Sequence, residues 1–186
     1  MNSAATDERE LVRSARHGAG DALDELYRRH GNRVFTLCYY TLGSRSAAED
    51  ATQSVFLKAF RGLTEFREQS DFRTWLLRIA INYCNDQLRV RRTEYVPLES
   101  IMGSDREIAS RLSPEEEHQA RQSERIIARA LRELSPKLRS VAILRYVQEL
   151  SYEDIAAILG CSKGTVASRL NRALTDLERL LRPLRP

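Results

Sequence analysis

The chain has 186 residues, 42% hydrophobic and 30% charged, which allows one ordinary domain or two small ones with packed cores and excludes global disorder. Its net charge of +4 permits nucleic-acid binding without requiring it, and the charge is uneven: 15 Lys/Arg against 12 Asp/Glu in residues 1–92, 3 against 7 in 93–122, and 12 against 7 in 123–186. No apolar run approaches the ~20 residues of a membrane span, the polar start MNSAATDERE is unlike a signal peptide, and Cys38, Cys84 and Cys161 lie far apart among apolar residues, as buried thiols of a reducing, cytoplasmic protein would.

A helix is predicted from Asp7 to His17, closed by Gly18 and Gly20. A second runs from Asp21 to Leu42 and stops at Gly43, with Gly31-Asn32 a candidate kink. A third spans Ala47 to Arg61, and a fourth, capped by Ser70 or Asp71, reaches about Arg91. In the fourth, Phe72, Trp75, Leu76, Ile79, Ala80 and Tyr83 recur at helical spacing as one apolar stripe. The opposite face carries a cationic, amide-bearing line: Arg78, Asn82, Asn85, Arg89 and Arg92. Such a line can track a nucleic-acid backbone, and the preceding loop residues Glu65, Phe66 and Arg67 are candidates for a base pocket. Trp75 and Phe72 sit on the apolar stripe and read as core.

The pattern dissolves over residues 93–112, which read as an acidic linker. SPEEE then restarts a helix, with Ser113 as cap and Pro114 in the first turn, continuing to Leu134. Ser135-Pro136 opens another, through Glu149, and Ser151 with Asp154 resembles a capping box. The stretch SYEDIAAILGCSKGTVASRL has the layout of a helix-turn-helix: Ala156 where the backbones cross, Gly160 at the turn, Val166 as apolar anchor. Ile155 and Leu159 face inward from its first helix; Val166, Leu170, Ala173, Leu174, Leu177 and Leu181 continue the buried face of the second. Ser162 caps that second helix, whose outer surface offers Lys163, Thr165, Ala167, Ser168, Asn171 and Arg172 to a DNA major groove. No segment has a strand period, so an all-α fold of two small helical domains is expected.

Two distant segments together carry a resemblance. AEDATQSVFLKAFRGLTEFREQSDFRTWLLRIAINYCNDQLRVRR resembles region 2 of bacterial RNA polymerase sigma factors, and LRELSPKLRSVAILRYVQELSYEDIAAILGCSKGTVASRLNRALTDLERLL resembles region 4. Their direct connection is similar to the extracytoplasmic-function (ECF) subfamily. The resemblance implies a region 2 bundle over 1–92, a linker over 93–112 and a region 4 helix-turn-helix over 113–186. It implies binding to core RNA polymerase through the beta-prime clamp and beta flap, with Asp50, Gln53, Phe56 and Lys58 as contacts. It further implies melting and recognition of a promoter −10 element by the loop and fourth helix, recognition of the −35 element by the helix from Lys163 with Ser168, Arg169 and Arg172 at matching positions, and an anti-sigma partner. Ser54 and Ala167 depart from the family, where Glu and a basic residue are frequent. No cofactor or metal is implied.

Other classes fit less well. A stand-alone helix-turn-helix regulator binds as a symmetric dimer, and no dimerisation heptad is evident. A helical adapter needs no recognition face. An enzyme needs a nucleophile–base set or metal cluster, and His17, His30 and His118 fall in unrelated segments, where each reads as a surface residue.

Overall fold

In a computed structural model that describes residues 3–66, 70–93 and 114–182, with side chains over 7–66, 70–90 and 122–182, all the regular structure is helical. The first lobe comprises α1 (Ser3–Arg16), α2 (Gly20–Leu42), α3 (Arg45–Gly62), a single 3-10 turn at Leu63–Glu65 and α4 (Phe72–Thr93). The second comprises α5 (Pro114–Glu133), α6 (Pro136–Ala142) with a π-helical continuation over Ile143–Val147, α7 (Tyr152–Leu159) and α8 (Lys163–Leu181). Apart from Thr93, the linker expected over 93–112 lies outside the described residues, as do Ser113 and the side chain of His118. Among the described residues no helix is long and apolar enough to cross a membrane.

Local chemistry sets the helix ends. Ser44 Oγ accepts from Ala47 N–H, and Asp71 Oδ1, not Ser70, takes the Thr74 N–H at 2.6 Å. α2 runs through Gly31 without a break, and the Tyr27 ring lies 3.6 Å from where a Cβ at Gly31 would sit. It ends at Gly43, whose left-handed φ of 74° lets its N–H reach Tyr39 O. The start at Ser135 uses Pro136 alone, for Ser135 makes no side-chain cap bond.

α2, α3 and α4 form the centre of the first lobe. Leu26, Val34, Leu37, Val55, Leu76 and Ile81 are fully buried there, each such side chain contributing about 1.5–3 kcal/mol of transfer free energy. α4 is buried over more of its circumference than the single predicted stripe: Leu77, Ile81 and Cys84 are also enclosed, and Cys84 Sγ lies 3.5 Å from Cys38 Sγ on α2. That contact and burial push the Cys84 thiol far above its ordinary pKa. Cys161, expected inside, is half-buried at the helix-turn-helix turn. His30, read as a surface residue, is only 7% exposed: its Nε2 lies 2.7 Å from Glu8 Oε1 of α1, and its ring meets Phe72 edge-on.

The lobes share one continuous apolar core. Arg139 is buried at their junction. Its guanidinium donates to the carbonyls of Leu131, Arg132 and Leu134 at the end of α5 and, across the seam, to Thr41 O at 3.0 Å. Gln148 Nε2 donates to Arg33 O at 3.1 Å, and Asn85 Nδ2 approaches Ser140 Oγ at 3.5 Å. Arg132 lies so close over Gly43 that a Cβ there would overlap its Cδ. The seam explains a departure from the sequence pattern: Ile158 of α7 is only 3% exposed and Leu159 is half-buried, because α7 packs on α4 as well as on its own lobe. On α8, Val166, Leu170 and Ala173 are buried and Leu177 and Leu181 partly so, whereas Leu174, expected inside, is 41% exposed on the flank of that stripe.

Candidate nucleic-acid and protein interfaces

In the second lobe the predicted helix-turn-helix forms as its small residues dictate. Ser151 Oγ accepts from Asp154 N–H at the start of α7 and donates to Asp154 Oδ2. Gly160, at φ 60°, returns its N–H to Ala156 O. Ser162 Oγ accepts from Thr165 N–H at the start of α8 and contacts Thr165 Oγ1 at 2.9 Å. The outer face of α8 exposes Ser162, Lys163, Ser168, Asn171 and Arg172, with Thr165 and Ala167 half-buried. Arg169 is drawn back instead, its Nη1 3.8 Å from Cys161 Sγ, so it covers the turn and is a weaker candidate for base contact.

Lys163 Nζ is 2.6 Å from Glu153 Oε1, a pairing between α8 and α7 that spacing within one helix does not announce. The ammonium holds the Glu153 carboxyl below its ordinary pKa. That carboxylate also sets a negative charge beside the helix N-terminus, the end whose free N–H groups and dipole attract phosphate.

In the first lobe, Arg78, Asn82 and Arg89 are exposed along α4, with Arg89 paired to Asp86 one turn away. Asn85 belongs to the same line but is partly covered by α6 through Ser140. Arg92 and Arg67 lie beyond the described side chains. The end of the 3-10 turn is tethered by Arg16 of α1, whose guanidinium donates to Leu63 O and Phe66 O. Sequence reasoning missed this residue, because α1 and the turn are adjacent only in space.

Beside that turn lies a cavity of about 330 Å³, walled by Glu65, Phe66, Ser70, Thr74, Trp75 and Arg78 of the first lobe and by Ala157 and Ile158 of the second. Glu65 is exposed at it. Phe66, predicted as a pocket residue, is buried against Trp75 and Phe72 at ring distances of 5.0 and 6.1 Å, so it contributes to the pocket from inside the aromatic cluster. Trp75 joins that cluster and is half-buried, core on one side and cavity wall on the other.

The predicted protein-binding residues lie on α3. Asp50 and Gln53 are exposed, and Gln53 lines a groove of about 410 Å³ with Tyr27, Asn32, Phe35 and Arg45. Lys58 is exposed but its ammonium rests over the Tyr83 ring at 4.7 Å. Phe56, also predicted as a contact, is only 3% exposed and packs on Tyr27 and Phe60, while the adjacent Leu57 is 57% exposed.

The family models for Sigma-70 region 2 and Sigma-70, region 4 match residues 26–94 and 124–177. The chain is 35% identical over 181 residues to the ECF RNA polymerase sigma-E factor of Haemophilus influenzae, covering 94% of this chain and 95% of that protein. It is 33% identical over 190 residues to the protein of that name from Escherichia coli, covering 99% and 98%. Among solved structures it is similar to CnrH in complex with the cytosolic domain of CnrY (TM-score 0.71, 27% identity, 95% of this chain and 97% of that one). It is also similar to the sigma factor RpoE in complex with the anti-sigma factor NepR from Bartonella quintana (TM-score 0.67, 27% identity, 86% and 96%).

Proposed function

Because the chain belongs to the ECF subfamily of sigma-70 RNA polymerase sigma factors, we propose that its two lobes divide promoter recognition between them. Residues 1–92 act as region 2, residues 113–186 as region 4, and the segment between spans the distance that polymerase imposes. The protein binds core RNA polymerase and directs it to promoters. It carries no reaction itself; catalysis of RNA synthesis belongs to the polymerase.

The observation that carries this reading is the exposure of two cationic, amide-bearing helix faces on different lobes of one chain: Arg78, Asn82 and Arg89 on α4, and Lys163, Asn171 and Arg172 on α8. Arg and Asn side chains have the donor geometry for base edges in a duplex major groove, which suits α8 to the −35 element. Separating a strand at the −10 element costs a few kcal/mol per unstacked base. A cationic track beside an aromatic-walled cavity offsets that cost by holding the separated strand, which suits α4 and the loop after α3 to that element. Asp50, Gln53 and Lys58, with Leu57 in place of Phe56, form the surface for core polymerase. Both structural relatives are complexes, CnrH with the cytosolic domain of CnrY and RpoE with the anti-sigma factor NepR, and a partner of the anti-sigma class binds this chain as well. It works in the compartment of the transcribing enzyme, the cytoplasm.

The test is to mix the chain, core RNA polymerase and promoter DNA carrying 2-aminopurine near the start site. Duplex opening occurs only with both proteins present. Opening by the chain alone, or no stable association with core polymerase, contradicts the reading.

A further inference from the structure

Arg16 is the last residue of α1, and it serves a turn that lies 47 to 50 positions further along the chain. Its Nε donates to Leu63 O at 3.1 Å and its Nη2 donates to Phe66 O. Leu63 O also takes the Phe66 N–H at 3.2 Å, the bond that closes the 3-10 turn. One guanidinium therefore holds both ends of the turn at a fixed separation. Such a grip suits a planar fork of donors better than an ammonium, which is a compact point of charge. Thr64 and Glu65, between the two held carbonyls, are exposed, so backbone and not packing sets the direction of their side chains.

The rest of α1 keeps Arg16 in place. Val12 and Ala15 are buried in the core, Glu8 Oε1 is 2.7 Å from His30 Nε2, and Asp7 Oδ2 is 2.7 Å from Arg29 Nη1, the last two contacts both reaching α2. Trp75 packs on the same turn: its ring centre is 5.0 Å from that of Phe66, and its edge lies 3.6 Å from where a Cβ at Gly62 would sit. An arginine that only capped α3 would need the Leu63 carbonyl alone. The second bond, to Phe66 O, lies beyond the helix and acts on the turn itself.

We propose that Arg16 is a positioning residue for −10 readout: it fixes the turn after α3 so that Thr64 and Glu65 meet the separated strand in one register. This rests on the assignment of that loop to the −10 element and deepens it. A carboxylate accepts from the exocyclic amine of a base, and a hydroxyl both donates and accepts. Hydrogen bonds of this kind weaken steeply when donor and acceptor are displaced or misaligned. A turn free to shift would keep the cationic hold of α4 on the strand and lose the distinction between bases. Arg16 thus acts on specificity through Thr64 and Glu65 without touching DNA.

The test uses the full chain reconstituted with core RNA polymerase and a duplex library randomised across the −35 and −10 positions. Heparin-resistant complexes are recovered and sequenced, which gives the base preference at each position of both elements together. Arg16→Met keeps the aliphatic stem and removes the donors. It lowers preference at the −10 positions that Glu65 reads by about five- to tenfold and leaves −35 preferences within about twofold of wild type. Arg16→Lys, which keeps the charge, recovers part of the preference. Glu65→Ala flattens the same positions, and adding Arg16→Met to it lowers them by less than about twofold further, because the side chain being positioned is gone. Helicity and affinity for core polymerase are measured on each variant and stay at the wild-type level.

Unchanged −10 preferences in Arg16→Met overturn the positioning role, as does a fully additive loss in the Arg16→Met, Glu65→Ala double variant. Equal loss at both elements, with lower helicity or weaker core binding, also overturns it and reduces Arg16 to a brace for the first lobe. If Glu65→Ala flattens the −10 preferences and Arg16→Met does not, the proposed function stands and only the role of Arg16 is lost. If Glu65→Ala leaves every −10 preference intact, the assignment of the loop to that element is itself wrong and the positioning falls with it.

Discussion

Single side chains on α8 separate specificity from bulk attraction. Arg172→Ala removes an exposed candidate for base or phosphate contact and leaves the buried face of α8 untouched. It lowers −35 discrimination by about 1–3 kcal/mol if the contact is bidentate to a base. Competition binding by reconstituted holoenzyme, on promoters with matched and altered −35 sequences, measures this, with core-polymerase affinity unchanged. Glu153→Gln acts in the opposite sense. It frees Lys163 and removes a negative charge from the helix end, so duplex affinity rises for all sequences alike and its salt dependence steepens. The same pair gives a pH signature. Glu153 has its pKa lowered from 4.5 by Lys163, so its contribution is fully present above that value and is lost as pH falls through the lowered one. Duplex affinity of the wild-type chain should approach that of Glu153→Gln over that acid range and not near neutrality. On α3, Asp50→Lys impairs association with core polymerase first, leaving duplex binding by the free chain intact.

At the scale of helices, the ends are the most sharply testable features. Gly43→Ala forces a side chain into left-handed backbone and against Arg132, and costs about 1–2 kcal/mol from the backbone alone. Gly20→Ala, at the first turn of α2 with open space around it, is neutral or stabilising by up to about 1 kcal/mol. Urea unfolding of the two variants distinguishes the positions. These ends were legible in the sequence because capping is local: Gly43, Asp71, Ser151 and Ser162 sit beside the residues they serve. The apolar stripe of α4 was legible for the same reason. What lay outside local spacing was not. Leu77, Ile81 and Cys84 are buried because a second helix covers them. Phe56 is buried and Leu57 exposed because α2 fixes the roll of α3. His30 is enclosed by α1 and Phe72, 22 and 42 positions away along the chain. Arg78, Asn82, Arg89, Lys163, Asn171 and Arg172 are exposed, as their helical spacing suggests. A polar outer face needs only to be left uncovered, and where another element does cover it, as α6 covers Asn85, the sequence carries no sign.

The largest difference between the sequence reading and the structure is that the lobes are joined by shared core and by a buried arginine. Arg139 serves four carbonyls from two helix ends, a geometry that suits a planar guanidinium and not an ammonium. Arg139→Lys leaves some of those carbonyls unpaired, at about 2–4 kcal/mol. Thermal unfolding should show a Tm lower by roughly 4–16 °C. The shared core has a further consequence for how the molecule can be made. A backbone nicked between residues 94 and 113 loses covalent continuity while Ile143, Leu144, Leu150 and Ile158 remain in one apolar cluster with the residues of α2 and α4. Two separately synthesised fragments, 1–93 and 114–186, should therefore find each other in solution and purify as a stoichiometric pair, a split protein that reassembles without a tether.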